Sequence, residues 1–196
     1  MQIISGILLT FALFLLPGPA SASTWQIDPV HTSFQFSVRH MMVSNVKGVF
    51  HKFNGQFEID DKDISKTKAS AVIDVASIDT GIEKRDEDLR SPNFFDVAKY
   101  PAMTFVTKKL IKTGPGAFKM TGDLTMHGVT REVVLDMEGL ETVVKDPQGK
   151  MRRGATLSTM ISRKDFGLTY NKLLETGGVV VGDEVKISIE VELIRN

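Results

Sequence analysis

Apolar and polar residues alternate with a period of two along most of this chain. The C-terminal run shows it most cleanly: Val185, Ile187, Ile189, Val191 and Leu193 fall on one face, and Lys186, Ser188, Glu190 and Glu192 on the other. Successive side chains of a strand point to opposite faces, so this period predicts half-buried β-strands. Near the start, Phe34, Phe36, Val38 and His40 share a face opposite Gln35, Ser37 and Arg39. Val49, His51, Phe53, Gly55, Phe57 and Ile59 form a second series, and Ala69, Ala71, Ile73 and Val75 a third. Met103 with Phe105, then Phe118, Met120, Leu124 and Met126, then Val129, Val133, Leu135 and Met137 continue it. A strand with Leu157 and Ile161 follows, before Phe166 and Leu168.

Turn residues punctuate these runs. Gly114-Pro115-Gly116 and His127-Gly128 read as hairpins, Asp146 to Gly154 as a longer loop, and Gly177-Gly178 as a further reversal. Asp60 to Lys68 is polar and reads as a loop. One stretch is helical: Thr80 with Glu83 forms a capping box leading into Ile82–Leu89. Ser91-Pro92 ends that helix and starts a second short one, which places the helical excursion near residues 82–98. About eight antiparallel strands with one such excursion predict an all-β barrel, because closure removes the unpaired edges of an open sheet. A barrel of eight strands either fills with side chains or holds one slender ligand. Strands of ten residues or so reach roughly 30 Å, so the barrel is tall and narrow.

Composition narrows the picture. Residues 3–16 are almost wholly apolar, Pro17-Gly18-Pro19 breaks the run, and Ala20-Ser21-Ala22 has the form of a signal-peptidase site. A bilayer span needs roughly 20 apolar residues, so the run reads as a signal peptide of residues 1–22, cleaved after Ala22. Residues 23–196 then form a single domain of an exported protein. The chain has no cysteine, hence no lipobox, disulfide or thiolate metal site. Its 24 Lys and Arg balance its 24 Asp and Glu, which argues against a nucleic-acid partner, since phosphate binding needs a basic surface.

Five stretches in order carry a family likeness: WQIDPVHTSFQFSVRH at 25–40, RDEDLRSPNFFDVAKYP at 85–101, GDLTMHGVTR at 122–131, SRKDFGL at 162–168 and VGDEVKISIEVEL at 181–193. Together they resemble the YceI-like family of bacterial polyisoprenoid-binding, periplasmic proteins. The resemblance implies an elongated, lipocalin-like antiparallel barrel holding a long isoprenoid lipid, in the periplasm, with no cofactor beyond that lipid. Asp88 stands where the family usually has His, and Thr32 where it usually has Ser.

Outside the leader the chain has ten Phe and eight Met but one Trp and two Tyr. Phe offers apolar wall with no polar handle, and Met a wall that adjusts its shape. From the pattern alone these residues either fill a closed core or line a lumen; the resemblance favours the lumen. The expected lining is Phe34, Phe36, Val38, His40, Phe53, Phe57, Ile73, Val75, Leu89, Phe94, Phe95, Met103, Phe105, Leu124, Met126, Leu135, Met137, Leu157 and Phe166. His31, Arg85 and Arg90 are head-group candidates. The blander reading pairs Arg85 with Asp88 and Asp86 with Arg90 on the helix surface. The histidines show no zinc-like spacing and no accompanying carboxylate pattern, so no metal is expected. No nucleophile elbow, phosphate-cradling loop or zinc-protease motif is present.

The expected function is sequestration, carriage or storage of a long prenyl or quinone-type lipid. Two alternatives stand beside it: a scavenger of fatty acids or amides, and an enzyme acting on a quinone or lipid head group through His31, His40 or Asp86. A homodimer, and a transient contact with a membrane or membrane protein, are left open.

Overall fold

The computed structural model describes residues 22–175 and 177–195; the expected signal peptide of residues 1–22 lies outside them but for Ala22. Twelve strands are formed: β1 (Ala22–Ile27), β2 (Ser33–His40), β3 (Ser44–Phe50), β4 (Phe53–Asp60), β5 (Lys68–Asp74), β6 (Ile78–Asp79), β7 (Ala102–Gly114), β8 (Ala117–Met126), β9 (Val129–Gly139), β10 (Val144–Lys145), β11 (Met151–Ser162) and β12 (Val181–Arg195). The helix α1 spans Glu83–Arg90. All pairings between strands are antiparallel.

Three of the barrel's staves are bent strands in two pieces. β2 pairs with β3 while β1 pairs with β4, and β12 runs alongside both β2 and β1. In the same way β5 pairs with β4 and β6 with β3. Counting β1–β2, β3–β4 and β5–β6 as single staves, the order is an up-and-down meander of eight that closes when β12 pairs with β11. The eight-stranded barrel read from the alternation is therefore the fold. β10 is a short spur on β11, just before the stretch Asp146 to Gly154 expected to be a loop, and β11 already begins at Met151 within that stretch.

The bend between β3 and β4 corrects one detail of the pattern. His51 and Lys52 leave the ladder, with His51 N–H donating to Ser77 O at 3.2 Å. Two residues outside the ladder reset the phase, and a one-residue change of phase moves every side chain to the other face. So Phe50 points inward and His51 outward, where His51 Nε2 lies 3.0 Å from Asp79.

The helix also differs from expectation. Ile82 takes the cap position of α1 without a side-chain hydrogen bond, so the Thr80–Glu83 capping box does not form. Thr80 instead donates its N–H and hydroxyl to the buried carboxylate of Asp86. Residues 92–99 are turns, not a second helix.

The barrel has two unlike ends. The β7–β8 hairpin, residues 61–67 and residues 140–150 lie at one end, called the floor; α1, the β2–β3 and β8–β9 hairpins and residues 163–180 lie at the other, the mouth. The floor is solid. Trp25, Ile59, Phe118, Met137, Leu140 and Leu193 are buried there against one another. Arg153 lies over the Trp25 ring at 4.9 Å, donates to Leu140 O at 2.7 Å and pairs with Asp61. The indole N–H donates to Ser23 Oγ at 2.8 Å, so the burial leaves that polar group satisfied.

Candidate functional site

Above the floor the inward faces of the staves do not meet. They line a lumen whose wall is formed on β12 by Val181, Val185, Ile187, Ile189 and Val191, facing Phe34, Phe36 and Val38 of β2 and Phe50 of β3. Phe57, Ala71, Ile73, Met103, Phe105, Met120, Leu124, Met126, Val133, Leu135, Leu157 and Ile161 continue the wall around the barrel. Gln35, Ser70, Thr159 and Arg163 also border it, yet the surface turned inward is carbon almost throughout. With the open space at its mouth, the empty volume is about 1430 Å³. From Val181 to Val191 the wall follows ten residues of β12, about 33 Å along the strand. A tilt of about 40° to the barrel axis leaves on the order of 25 Å of depth.

Two glycines help to keep this space open. A Cβ on Gly48 would meet the Phe36 ring at 2.4 Å, and one on Gly122 would meet the Phe105 ring at 2.4 Å. Each ring thus lies flat across a glycine in the wall, where a larger residue would push it into the lumen.

The mouth is partly roofed by α1 and the segment after it. Leu89, Phe94 and Phe95 line the lumen from above. Phe95 meets Phe50 edge-on at 6.2 Å, and Phe94 lies 4.9 Å from Tyr170. Arg85 donates to Thr80 Oγ1 at 2.7 Å and Thr80 O at 2.8 Å. Arg90 donates to Ala76 O and Ile78 O, each at 3.1 Å, and pairs with Glu83 at 2.9 Å. The expected pairs Arg85–Asp88 and Asp86–Arg90 do not form, because backbone carbonyls and Thr80 claim these groups first. Both arginines fasten the roof to the barrel, and neither borders the lumen. Arg163, whose proton affinity burial lowers, serves similarly. It donates to Gly182 O at 2.8 Å and Leu168 O at 2.5 Å, tying the end of β11 to the start of β12.

Most of the residues expected to line the lumen border it, and five do not. Met137 belongs to the solid floor. Phe53 stands beside Phe34, ring centres 4.6 Å apart, and Val75 is buried at the corner after β5; neither borders the lumen. Phe166 is buried below the mouth, its carbonyl 3.2 Å from His127 Nδ1. His40 ends β2 opposite Val181, above the lining. Met137, Phe53 and Val75 have the inward phase but lie where neighbours fill the interior, whereas Phe166 sits in a 3-10 turn after β11 and His40 is partly exposed at the mouth. The β12 series, Phe50, Met120 and Ile161 were not among the expected site residues, although the alternation around β12 already marked its inward face.

His31 sits outside the lumen, near the floor. Its Nδ1 is 2.8 Å from Asp28, which also accepts from Arg152 at 2.7 Å; Arg152 reaches Glu192 at 2.5 Å. Burial raises the Asp28 pKa, but hydrogen bonds from His31, Arg152 and the Val30 N–H more than offset it and hold it at about 2. Asp28, His31 and Glu192 are close enough to share a cation, and the Arg152 guanidinium is the cation between the two carboxylates. The sequence hid this cluster because Glu192 lies 161 residues from His31. His31 thus lies toward the floor, whereas Asp86 lies on α1 at the mouth.

Residues 25–193 match the YceI-like domain. The chain belongs to the YceI-like family. Among curated relatives, a UPF0312 protein of Staphylococcus epidermidis is 40% identical over 169 residues, covering 86% of this chain and 95% of that one. A UPF0312 protein of Staphylococcus aureus is 38% identical over 171 residues, covering 87% and 96%. The YceI protein of Campylobacter jejuni superposes with a TM-score of 0.68 at 35% identity, covering 81% of this chain and 90% of that one. BcnA of Burkholderia cenocepacia gives 0.72 at 25%, covering 85% and 98%. A polyisoprenoid binding domain from Saccharophagus degradans shares the fold, with a TM-score of 0.65 at 16% identity and coverage of 89% and 99%.

Proposed function

We propose that this YceI-like barrel is exported and holds one long-chain, isoprenoid-like lipid in its lumen, sequestering it for carriage or storage in the periplasm. The observation that carries the proposal is the lumen wall: deep, narrow and almost without polar atoms. Such a wall offers nothing to a sugar or nucleotide, whose polar groups would be buried unpaired. Each methylene buried contributes about 0.8 kcal/mol, against on the order of 4–15 kcal/mol lost on association. A short fragment barely offsets that loss, and some twenty carbons exceed it. The polyisoprenoid binding named for the S. degradans domain supports the same ligand class.

Native mass spectrometry of protein purified from its own host tests this, with organic extraction to identify what copurifies. A bound mass that extracts as a prenyl or quinone lipid is the expected result; a ligand-free mass unchanged by added polyprenols overturns it. One observation favours a second reading. A wall of carbon recognises no particular tail, as a scavenger of varied amphiphiles requires. Competition between a fluorescent fatty acid and polyprenols separates the two: a scavenger ranks them nearly equally, a prenyl carrier does not.

A further inference from the structure

Beyond the lumen, the mouth carries an apolar tip that the fold itself does not use. The β2–β3 hairpin turns at Met41, Met42 and Val43, which are 44%, 54% and 76% exposed. Met41 and Met42 both take left-handed backbone, φ 48° and 62°. Asn and Gly occupy such hairpin turns at lower cost, so two methionines here add strain without gaining burial. Beside the turn lies a second exposed residue, Leu173, at 84%. The two are joined by backbone: Met41 N–H donates to Val180 O at 2.8 Å, Val180 N–H to Lys172 O at 3.0 Å, and Leu173 bridges Val179. The barrel wall thus extends past the mouth as one small apolar-tipped ledge.

We infer that this ledge is a membrane-docking tip, which seats the mouth on a bilayer with anionic headgroups so that a lipid tail passes between membrane and lumen without crossing water. The inference rests on the carrier reading and names where its cargo enters. Charge supports a bilayer as the occupant. Arg39, Lys47 and Lys172 flank the tip against a single carboxylate, Glu175, in the stretches 39–47 and 169–180, and these three cations form no ion pair among the described residues. Cations flanking an apolar tip match the headgroup layer outside and hydrocarbon within. Continuity supports it as well. Val38 and Val181 line the lumen, and their strands run directly into Met41 and Val180, so the lumen wall and the tip are one surface.

The test uses the double variant Met41→Asn/Met42→Gly, which suits the turn's backbone while removing its apolar face. Flotation with phosphatidylcholine vesicles containing about a third phosphatidylglycerol is compared with uptake of a fluorescent polyprenol from detergent. The inference expects the parent chain to float, the variant to float at least tenfold less, and both to take up polyprenol equally from detergent. Arg39→Gln/Lys172→Gln should weaken flotation only on the anionic vesicles. If the parent does not float, or floats no better than the variant, the docking tip is overturned while polyprenol uptake leaves the carrier reading standing. Flotation confined to vesicles bearing membrane proteins also overturns it, in favour of a protein partner. If neither chain takes up polyprenol but flotation still depends on the tip, the carrier reading fails and the docking surface remains.

Discussion

Trp25 and Phe36 come from the same alternation of apolar and polar residues, and their surroundings could hardly differ more. Trp25 is fully buried, ringed by Ile59, Leu140 and Leu193 and covered by Arg153. Phe36 packs on Phe50 and Gly48 and turns its remaining surface to the lumen. The period of two says only that a side chain faces inward. Whether it finds a neighbour or a void depends on what the opposite staves bring to the same level. At the floor they bring large residues and a clamped arginine; at mid-barrel they bring Ala69, Ala71 and glycine beside rings that lie flat. One barrel therefore has a structural half and a binding half.

Truncation should separate these halves most sharply. Trp25→Ala removes a ring packed on all sides, and such changes cost about 3–5 kcal/mol. Leu124→Ala opens onto space that already exists, so its expected cost is below about 2 kcal/mol. Urea unfolding of the two variants measures this. Equal losses would mean that the lumen is as tightly packed as the floor. Removal of bound lipid should lower the stability of the whole barrel, because the guest binds only the folded state: at a ligand excess of 100 Kd it stabilises by about 2.7 kcal/mol. Protein stripped by organic extraction should therefore unfold at lower urea, and re-addition of polyprenol should restore it.

Filling the lumen should have the opposite sign for stability and binding. Leu157→Trp places a large ring at the lower end of the space, against Leu135 and Val191. Excluding some three methylenes of the guest costs about 2.4 kcal/mol, roughly a fiftyfold loss of affinity for the longest tails. Stability should hold or rise. Binding series of graded chain length check both, and an unchanged length preference would place the tail elsewhere.

Acid should probe the outer flank of the floor half. The Asp28 carboxyl sits at about 2 when folded and near 3.9 when unfolded. A depressed folded pKa contributes stability that is present above about pH 4 and lost as pH falls from there through 2. The expected loss is at most about 2 kcal/mol. It should vanish in Asp28→Asn, whose stability is lower at neutral pH and flatter in acid.

The sequence made the barrel readable because alternation is a local signal, and every stave carried it. Phe34, Phe105, Leu124 and Leu135 carry that signal and border the lumen. Phe50 was missed because the two-residue break at His51 and Lys52 reset the phase, and no residue there announces a break. Met137 and Val75 were misplaced for a different reason: inward phase does not encode height in the barrel. Arg85 and Arg90 looked like surface ion pairs because helix spacing is visible in sequence, whereas the carbonyls of Ala76, Ile78 and Thr80 that capture them are not. The Asp28–His31–Arg152–Glu192 cluster joins residues far apart in the chain, so only the closed barrel reveals it.

The smallest effect gives the finest comparison, since it uses one substitution at two glycines. At Gly55 an added Cβ would meet Ser70 O at 2.4 Å and Ala71 Cα at 3.0 Å, both backbone. The strand pair itself would have to move, and overpacking of that kind costs about 1–3 kcal/mol. At Gly48 the close atoms are the Phe36 ring at 2.4 Å and Thr80 Cγ2 at 2.9 Å, both side chain. The ring has empty lumen behind it, so it can swing inward. Gly48→Ala should then cost about 1 kcal/mol or less, yet weaken lipid binding, because the displaced ring occupies the guest's path. Gly55→Ala should cost more stability. If Gly48→Ala instead destabilises as much as Gly55→Ala and leaves binding intact, the space behind Phe36 is not available to it, and the division between a packed floor and an open lumen fails at that level.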